Sequence, residues 1–177
     1  MKQKIYFITG GIFITGLFLI LLYGLYFADD PRTIPSALVN KKARPFSAVT
    51  FKEEGISLKK FLGQPIVLNF WASWCFACRQ EAHILETAHR KYTPEGAVFI
   101  GIAVNDTRVN SLKFIEKYQK TYLLAPDDKT GTISLDYGVT AVPETFLIDK
   151  EGIIRHKQLG VVTKELLEAF LENRLSN

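Results

Sequence analysis

The sequence predicts an α/β fold in which a mixed central sheet is flanked by helices on both faces, with a transmembrane helix at the N-terminus. Two near-continuous apolar runs separated by an amphipathic stretch predict buried parallel strands joined by a helix. Two later strand-like segments, separated by a short turn, predict an antiparallel hairpin. An uncharged segment near the start is the third observation, and it predicts the transmembrane helix.

The N-terminal segment at 5–27 has 23 residues and no charge. At a rise of ~1.5 Å per residue it can cross a hydrocarbon layer of ~30 Å. Lysines at 2 and 4 precede it, so the positive-inside rule places residues 1–4 in the cytoplasm and the rest of the chain across the membrane. A cleaved signal peptide is the alternative, but its apolar core is ordinarily shorter and ends in small residues. We therefore expect a retained anchor.

The segment at 28–45 is a predicted linker, because it contains three prolines and no sustained periodicity. The following segment, 46–177, is the predicted globular domain. In it, 46–51 is a weak edge strand and 57–62 is a helical turn that Gly63 ends.

The remaining elements follow from the spacing of apolar residues. The predicted strands are 66–71, 97–104, 144–149 and 153–158. The predicted helices are 80–92, 111–120 and a last helix with Thr163 as its N-cap, whose buried stripe is Leu166, Leu167, Phe170 and Leu171. The first two strands should be parallel, because a helix connects them, and the turn at 150–152 makes the last two antiparallel.

The composition excludes some classes of function. The chain has 177 residues, of which 47% are hydrophobic and 23% charged, so it can bury a core of its own. Its net charge of +4 includes the two lysines before the apolar segment, and no basic stripe is present. We therefore expect no nucleic-acid partner.

The two cysteines of the chain form a C-x-x-C pair, Cys75 and Cys78, at the end of an apolar run. This arrangement is typical of dithiol–disulfide exchange. The first sulfur should lie at a helix N-terminus, where free N–H groups and the helix dipole favour a thiolate. The second, one turn later, can attack a mixed disulfide and release the partner.

Two other interpretations of the pair are weaker. A zinc site needs four ligands, and the three histidines at 83, 89 and 156 form no second paired motif, so we expect no metal. A purely structural disulfide across so short a loop restricts the unfolded chain little. Exchange chemistry remains the preferred interpretation.

Three segments carry a resemblance to a known family. NFWASWCFACRQE resembles the active-site segment of the thioredoxin-like fold. YGVTAVPETFLIDKEGIIRHKQLG and DPRTIPSALVNKKARPF resemble segments of the membrane-anchored thiol–disulfide interchange proteins of cytochrome c biogenesis, the DsbE/CcmG type. The resemblance covers most of the chain and implies a thioredoxin-like fold.

The resemblance implies roles for the residues at the site. Cys75 matches the exposed nucleophile and Cys78 the resolving thiol. Pro143 matches a cis proline facing the disulfide, and the backbone of Val142 before it is implied to pair with an extended substrate. The sequence alone favours a trans bond, since only about 5–6% of X–Pro bonds are cis.

Further positions match less directly. Glu81 and Glu144 match acidic positions flanking the family's site, where a carboxylate can take the proton of the buried thiol. Trp74 matches one of two tryptophans before the cysteines, and Phe76 is a candidate apolar contact to a partner. Phe76-Ala77 departs from the family, which usually has a proline between the cysteines. Asn69 replaces the buried aspartate of ordinary thioredoxins.

The function implied by the resemblance is reduction of disulfides in apocytochrome c, or in a thiol carrier of its maturation pathway. A membrane electron donor would restore the dithiol, and no cofactor is expected in the domain. The chain is expected in the bacterial inner membrane, held in lipid by 5–27, with its domain in the periplasm. The alternatives are a periplasmic disulfide oxidase or isomerase, and a non-catalytic tethered module that binds haem or apocytochrome.

Overall fold

The structure is a computed structural model that describes residues 2–27 and 37–175. It comprises two units, Met1–Ile34 and Pro35–Asn177. Residues 28–36 of the predicted linker at 28–45 lie outside the described residues.

The first unit contains one helix, α1, at Lys2–Phe27, which includes the segment predicted to span a membrane. Among the described residues, the structure has no helix with both the length and the apolar character that crossing a membrane requires.

Over its described residues, 37–175, the second unit is built from seven strands, four α-helices and a 3₁₀ turn at Leu58–Phe61. The strands are β1 (Ser47–Val49), β2 (Gly55–Ser57), β3 (Ile66–Trp71), β4 (Val98–Ala103), β5 (Leu123–Pro126), β6 (Glu144–Ile148) and β7 (Ile154–Leu159). The helices are α2 (Phe76–Tyr92), α3 (Arg108–Lys117), α4 (Thr132–Asp136) and α5 (Lys164–Leu175).

The central sheet has the strand order β5-β4-β3-β6-β7. β3 pairs with β4 in parallel, and β4 with β5 in parallel. β6 pairs antiparallel with both β3 and β7, so the sheet is mixed, as predicted. β1 and β2 form a separate antiparallel ribbon.

Both faces of the sheet are buried. The alternation of β3 directs Val67, Asn69 and Trp71 to the face covered by α2 and α5. Leu68 and Phe70 face the other side, where Phe146 and Tyr137 pack. The first cysteine follows the end of β3 directly, and the sheet therefore sets its position.

Several boundaries differ from the predictions. α2 begins at Phe76 rather than at 80, because Cys75 caps it, and α3 begins at Arg108 rather than at 111, because Thr107 accepts a hydrogen bond from the N–H of Asn110. Thr163 caps α5 as predicted, accepting from the N–H of Leu166. No prediction covered β2, β5 or α4, which are short.

Residues in the predicted lead-in contact the β6–β7 hairpin. The N–H groups of Asn40 and Ala43 donate to the carbonyls of Ile154 and Gly152. Leu38 and Val39 pack against the core on the far side of the sheet from α2. These residues belong to the compact unit.

Candidate active site

The cysteine pair lies where β3 passes into α2. Cys75 is the N-cap of α2 and has extended backbone dihedrals, and Cys78 lies in the first turn. The two form a disulfide with their Cα atoms 5.3 Å apart. The N–H of Cys78 donates to Cys75 Sγ over 3.0 Å. Because the first N–H groups of a helix have no partner within it, this position stabilises negative charge on Cys75 when the disulfide opens.

Both sulfur-bearing residues are more buried than the resemblance implied. Cys75 is 5% exposed and Cys78 is 2% exposed. Cys75 is therefore the more accessible of the two, although both are buried. Its sequence neighbours supply the exposed surface, with Trp74 at 59% and Phe76 at 70%. These two aromatic side chains therefore form exposed apolar surface on either side of Cys75 in the sequence.

The loop before the cysteines is held by contacts that the sequence did not reveal. The N–H and hydroxyl of Ser73 both donate to the carboxylate of Asp106, over 2.6 and 2.8 Å. Trp74 Nε1 donates to the carbonyl of Asn105 over 3.0 Å. These bonds fasten the end of β3 to the segment after β4, and no local pattern in the sequence signals a pairing across 33 residues.

The Val142–Pro143 peptide bond is cis, as the resemblance implied. The carbonyl oxygen of Val142 lies 3.4 Å from Cys75 Sγ, close enough to accept a hydrogen bond from the reduced thiol. On the other side, the carbonyl of Pro143 accepts from the N–H of Gly160. Val142 and Pro143 are thus brought together with the cysteines.

Glu81 lies one turn beyond Cys78 on α2 and is buried, with 1% exposure. Asn69 Nδ2 donates to Glu81 Oε1 over 2.8 Å, and the N–H of Val162 donates to Oε2 over 3.0 Å. Desolvation nevertheless raises the pKa of Glu81 from 4.5 to about 7, since these bonds compensate burial only in part. A carboxyl group with such a pKa can both accept and return a proton at neutral pH.

Glu144 is also buried, and each oxygen of its carboxylate has a polar contact. Oε1 accepts from the N–H and hydroxyl of Thr140 and from the N–H of Ala141, over 3.0 to 3.2 Å. Oε2 pairs with Lys157 Nζ at 2.8 Å. These contacts hold the loop that leads into Val142 and Pro143.

Lys120 is a buried residue of this region that no sequence pattern indicates. It is 5% exposed, and its Nζ lies 4.1 Å from the centre of the Trp71 ring. Burial lowers its pKa from 10.5 to about 7, and Glu81 opposes that shift. A single lysine just past an amphipathic helix has no sequence signature that separates it from a surface residue.

Within the described residues, His83 contacts Thr87, His89 contacts Thr93 and His156 contacts Gln158. Across residues 2–27 and 37–175, no group of three or more His, Cys, Asp or Glu side chains is arranged to hold a metal ion.

The family assignment follows from comparison with known proteins. The sequence model described as the AhpC/TSA family matches residues 39–157. The chain belongs to this family. It is 40% identical over 161 residues to the thiol:disulfide interchange protein DsbE of Allochromatium vinosum, covering 88% of this chain and 84% of the relative. It is 36% identical over 168 residues to DsbE of Pseudomonas aeruginosa, covering 94% and 89%.

A solved structure agrees. The putative thiol:disulfide interchange protein DsbE from Chlorobium tepidum superposes with a TM-score of 0.71 at 28% identity, over 77% of this chain and 97% of that one. The chain is therefore a DsbE-like thiol–disulfide oxidoreductase of thioredoxin-like fold, and Cys75 and Cys78 are its redox-active pair.

Proposed function

We propose that this protein is a membrane-anchored reductase that donates two electrons to disulfides of apocytochrome c, or of a thiol carrier that serves it, during cytochrome c maturation. The observation that carries the proposal is the cysteine pair at the start of α2 with Glu81 buried one turn behind it. A buried carboxylate near the second thiol disfavours the reduced thiolate, which makes the dithiol a stronger reductant.

In the first half of the reaction, the Cys75 thiolate attacks one sulfur of the substrate disulfide. That S–S bond breaks, a mixed disulfide forms, and the substrate's other sulfur leaves as a thiolate that takes up a proton. The free N–H groups at the helix start favour the thiolate form of Cys75 before the attack.

In the second half, the Cys78 thiol gives its proton to the Glu81 carboxylate, and the resulting thiolate attacks Cys75 Sγ. The Cys75–Cys78 disulfide forms, the bond between Cys75 and the substrate breaks, and the substrate's second sulfur leaves as a thiolate that takes up a proton, so the substrate has gained two electrons in all. A membrane electron donor then reduces the disulfide and restores the dithiol. Glu81 suits the role of proton acceptor because its pKa is raised to about 7, near neutral pH.

The substrate docks across the cis peptide. The backbone of Val142 pairs with an extended segment of the partner, and the exposed rings of Trp74 and Phe76 give it apolar contact. Glu144 serves this step as a positioning residue, since its carboxylate holds Thr140 and Ala141 in the same loop. Replacement of Glu144 therefore disturbs docking before it disturbs proton transfer.

The anchor and location are part of the same proposal. The uncharged run at 5–27 supports anchoring in lipid, and so do the described large apolar side chains of α1, which are 42–74% exposed. Two lysines before the run support a cytoplasmic N-terminus and a periplasmic domain at the bacterial inner membrane.

Trapping in cells tests the substrate. A Cys78→Ser variant cannot resolve the mixed disulfide, so we expect it to accumulate a covalent complex with its partner, identified by mass spectrometry of the non-reduced band. A Cys75→Ser variant is the matched control and should trap nothing. Trapped proteins that play no part in cytochrome c maturation would contradict the proposal.

The direction of electron flow has its own measurement. Equilibration with glutathione gives the reduction potential of the Cys75–Cys78 pair. A value near or below about −200 mV supports the reductase, whereas a value close to about −120 mV identifies an oxidase.

A further inference from the structure

Lys120 is a buried cation for which the reaction steps proposed for the cysteines have no role. Lys120 comes after α3 in the chain, and three aromatic rings enclose its side chain. Its Nζ lies 4.1 Å from the ring centre of Trp71, 5.1 Å from that of Tyr122 and 5.4 Å from that of Phe114. Attraction of the ammonium to these ring faces stabilises it only modestly. Burying an unpaired ammonium costs more than that, so an opposite charge is expected nearby.

Two carboxylates of α2 act electrostatically on Lys120, those of Glu81 and Glu86. The Glu86 carboxylate already has a cation of its own, since Arg90 Nε donates to it over 2.7 Å. It also accepts from the N–H and the hydroxyl of Thr121, over 2.8 and 2.6 Å. Within the described chain, Lys120 is the cation that acts on the Glu81 carboxylate.

Strand β3 brings Glu81 and Lys120 into one cluster. Asn69 and Trp71 are two residues apart and therefore face the same side of the sheet. Asn69 Nδ2 donates to Glu81 Oε1 over 2.8 Å, while the Trp71 ring lies against Lys120 Nζ. Neighbouring side chains of one rigid strand thus hold the carboxylate and the ammonium.

We propose that Lys120 is a positioning residue for disulfide exchange, whose ammonium keeps Glu81 in the charged form that accepts the Cys78 proton. The proposal rests on the proposed function, because it assigns Lys120 an effect only through Glu81. When the ammonium is removed, no cation opposes the desolvation of the Glu81 carboxylate. Glu81 then keeps its proton at neutral pH. Because it can no longer accept the Cys78 proton, the second half of the reaction slows.

The directions of the pKa shifts agree with this cluster. Desolvation raises the pKa of Glu81 to about 7 and Lys120 opposes the rise, while desolvation lowers the pKa of Lys120 to about 7 and Glu81 and Glu86 oppose the fall. Each charged form therefore favours the other. Tyr122 stays neutral, since burial raises its pKa well above 10.0. Lys52 and Glu54 are the other charged residues that line the surface cavity bordering Lys120.

The test uses the full-length protein in detergent and a Lys120→Met variant, which keeps the length and apolar stem of the side chain. Resolution of a mixed disulfide with a fluorescent peptide is followed from pH 5 to 9, and the Glu81 carboxyl carbon is titrated by NMR. We expect both midpoints to move up by about one pH unit, which lowers the rate at pH 7 about fivefold. Lys117→Met is the matched control, because Lys117 is exposed and lies 5.5 Å from the Tyr118 ring; it should leave both midpoints unchanged.

A double variant separates an effect through Glu81 from a general structural effect. In a Glu81→Gln background, Lys120→Met should change neither the rate nor its pH profile. A further loss of rate there, or an unshifted Glu81 titration in the single variant, overturns the role of Lys120. If Glu81→Gln alone leaves exchange unaltered while Cys75→Ser abolishes it, Glu81 is not the proton acceptor and Lys120 loses its role with it, although the oxidoreductase assignment stands.

Discussion

At the scale of single residues, the charge state of Glu81 links stability to chemistry. A carboxyl group in this position is costly to ionise, because burial removes water from it and only two donors, from Asn69 and Val162, replace that water. The folded protein therefore binds the Glu81 proton more tightly than the unfolded chain does. The same property that suits Glu81 to proton transfer makes it a pH-dependent weakness of the fold.

Glu81→Gln should remove the part of the pH dependence of the free energy of unfolding that comes from Glu81. Since the folded pKa is raised from 4.5 to about 7, the contribution of the protonated carboxyl is fully present below pH 4.5 and is lost as the pH rises through 7. The loss is on the order of 3 kcal/mol in the free energy of unfolding. We expect the stability of the oxidised Gln variant to lack this decline.

Urea unfolding of the oxidised protein at a series of pH values between 4 and 8 measures this effect. The control is Glu95→Gln, because Glu95 is an exposed residue in the turn after α2. Parallel stability curves for the native protein and the Glu81 variant would show that Glu81 titrates normally in the fold.

At the scale of elements, the site depends on close packing of side chains over the central strands β3, β4 and β5. Gly101 of β4 pairs with Asn69 of β3 and Leu124 of β5, in the centre of the sheet. A Cβ at this position would lie 2.6 Å from Leu124 Cδ2 and 3.0 Å from Trp71 Nε1. The absence of a side chain at 101 therefore allows the Trp71 ring to lie beneath Lys120.

Gly101→Ala should destabilise the fold by roughly 1–3 kcal/mol, the usual cost of overpacking a close-packed interior. Thermal unfolding of the oxidised protein measures the change. Gly55→Ala is a suitable control, because a Cβ there meets nothing within 4 Å. A Gly101→Ala variant as stable as the native protein would mean that the Trp71 and Leu124 side chains move aside without cost.

At the scale of the whole molecule, every residue assigned to exchange lies in the unit Pro35–Asn177, and the predicted anchor lies in the unit Met1–Ile34. The reaction and the attachment are therefore separable properties of the chain. In the proposed function, the anchor would confine the domain near a membrane electron donor and would contribute nothing to the chemistry of the sulfurs.

Removal of residues 1–34, with export through a cleavable signal sequence instead, should move the protein from the membrane pellet to the soluble fraction. We expect the rate of exchange with a peptide disulfide to stay within about twofold of the native rate, because the thiolate environment is intact. Alkaline carbonate extraction followed by ultracentrifugation measures the first outcome. Extraction of the full-length protein by carbonate without detergent would argue against the anchor.

Much of the fold followed from local patterns, since β3 and β4 are near-continuous apolar runs and the β6–β7 hairpin has a clear turn. β5 and α4 were missed because they have four and five residues, too few for a period to show. In the site, the cysteine spacing predicted the exchange chemistry, and the resemblance added Pro143 and the two glutamates. Cys75 is less exposed than expected, because the Val142 carbonyl packs against its sulfur.

The sequence by itself determined the reacting atoms, because two cysteines three positions apart at a helix start leave little other chemistry to perform. Only the tertiary structure decided which charged groups are buried near the cysteines and what surrounds them. It makes Glu144 a partner of Lys157, gives Glu81 a pKa of about 7, and brings Lys120 against Trp71. The physical reason is that desolvation and Coulomb interactions depend on which groups surround a charge in space, and separation along the chain does not report that.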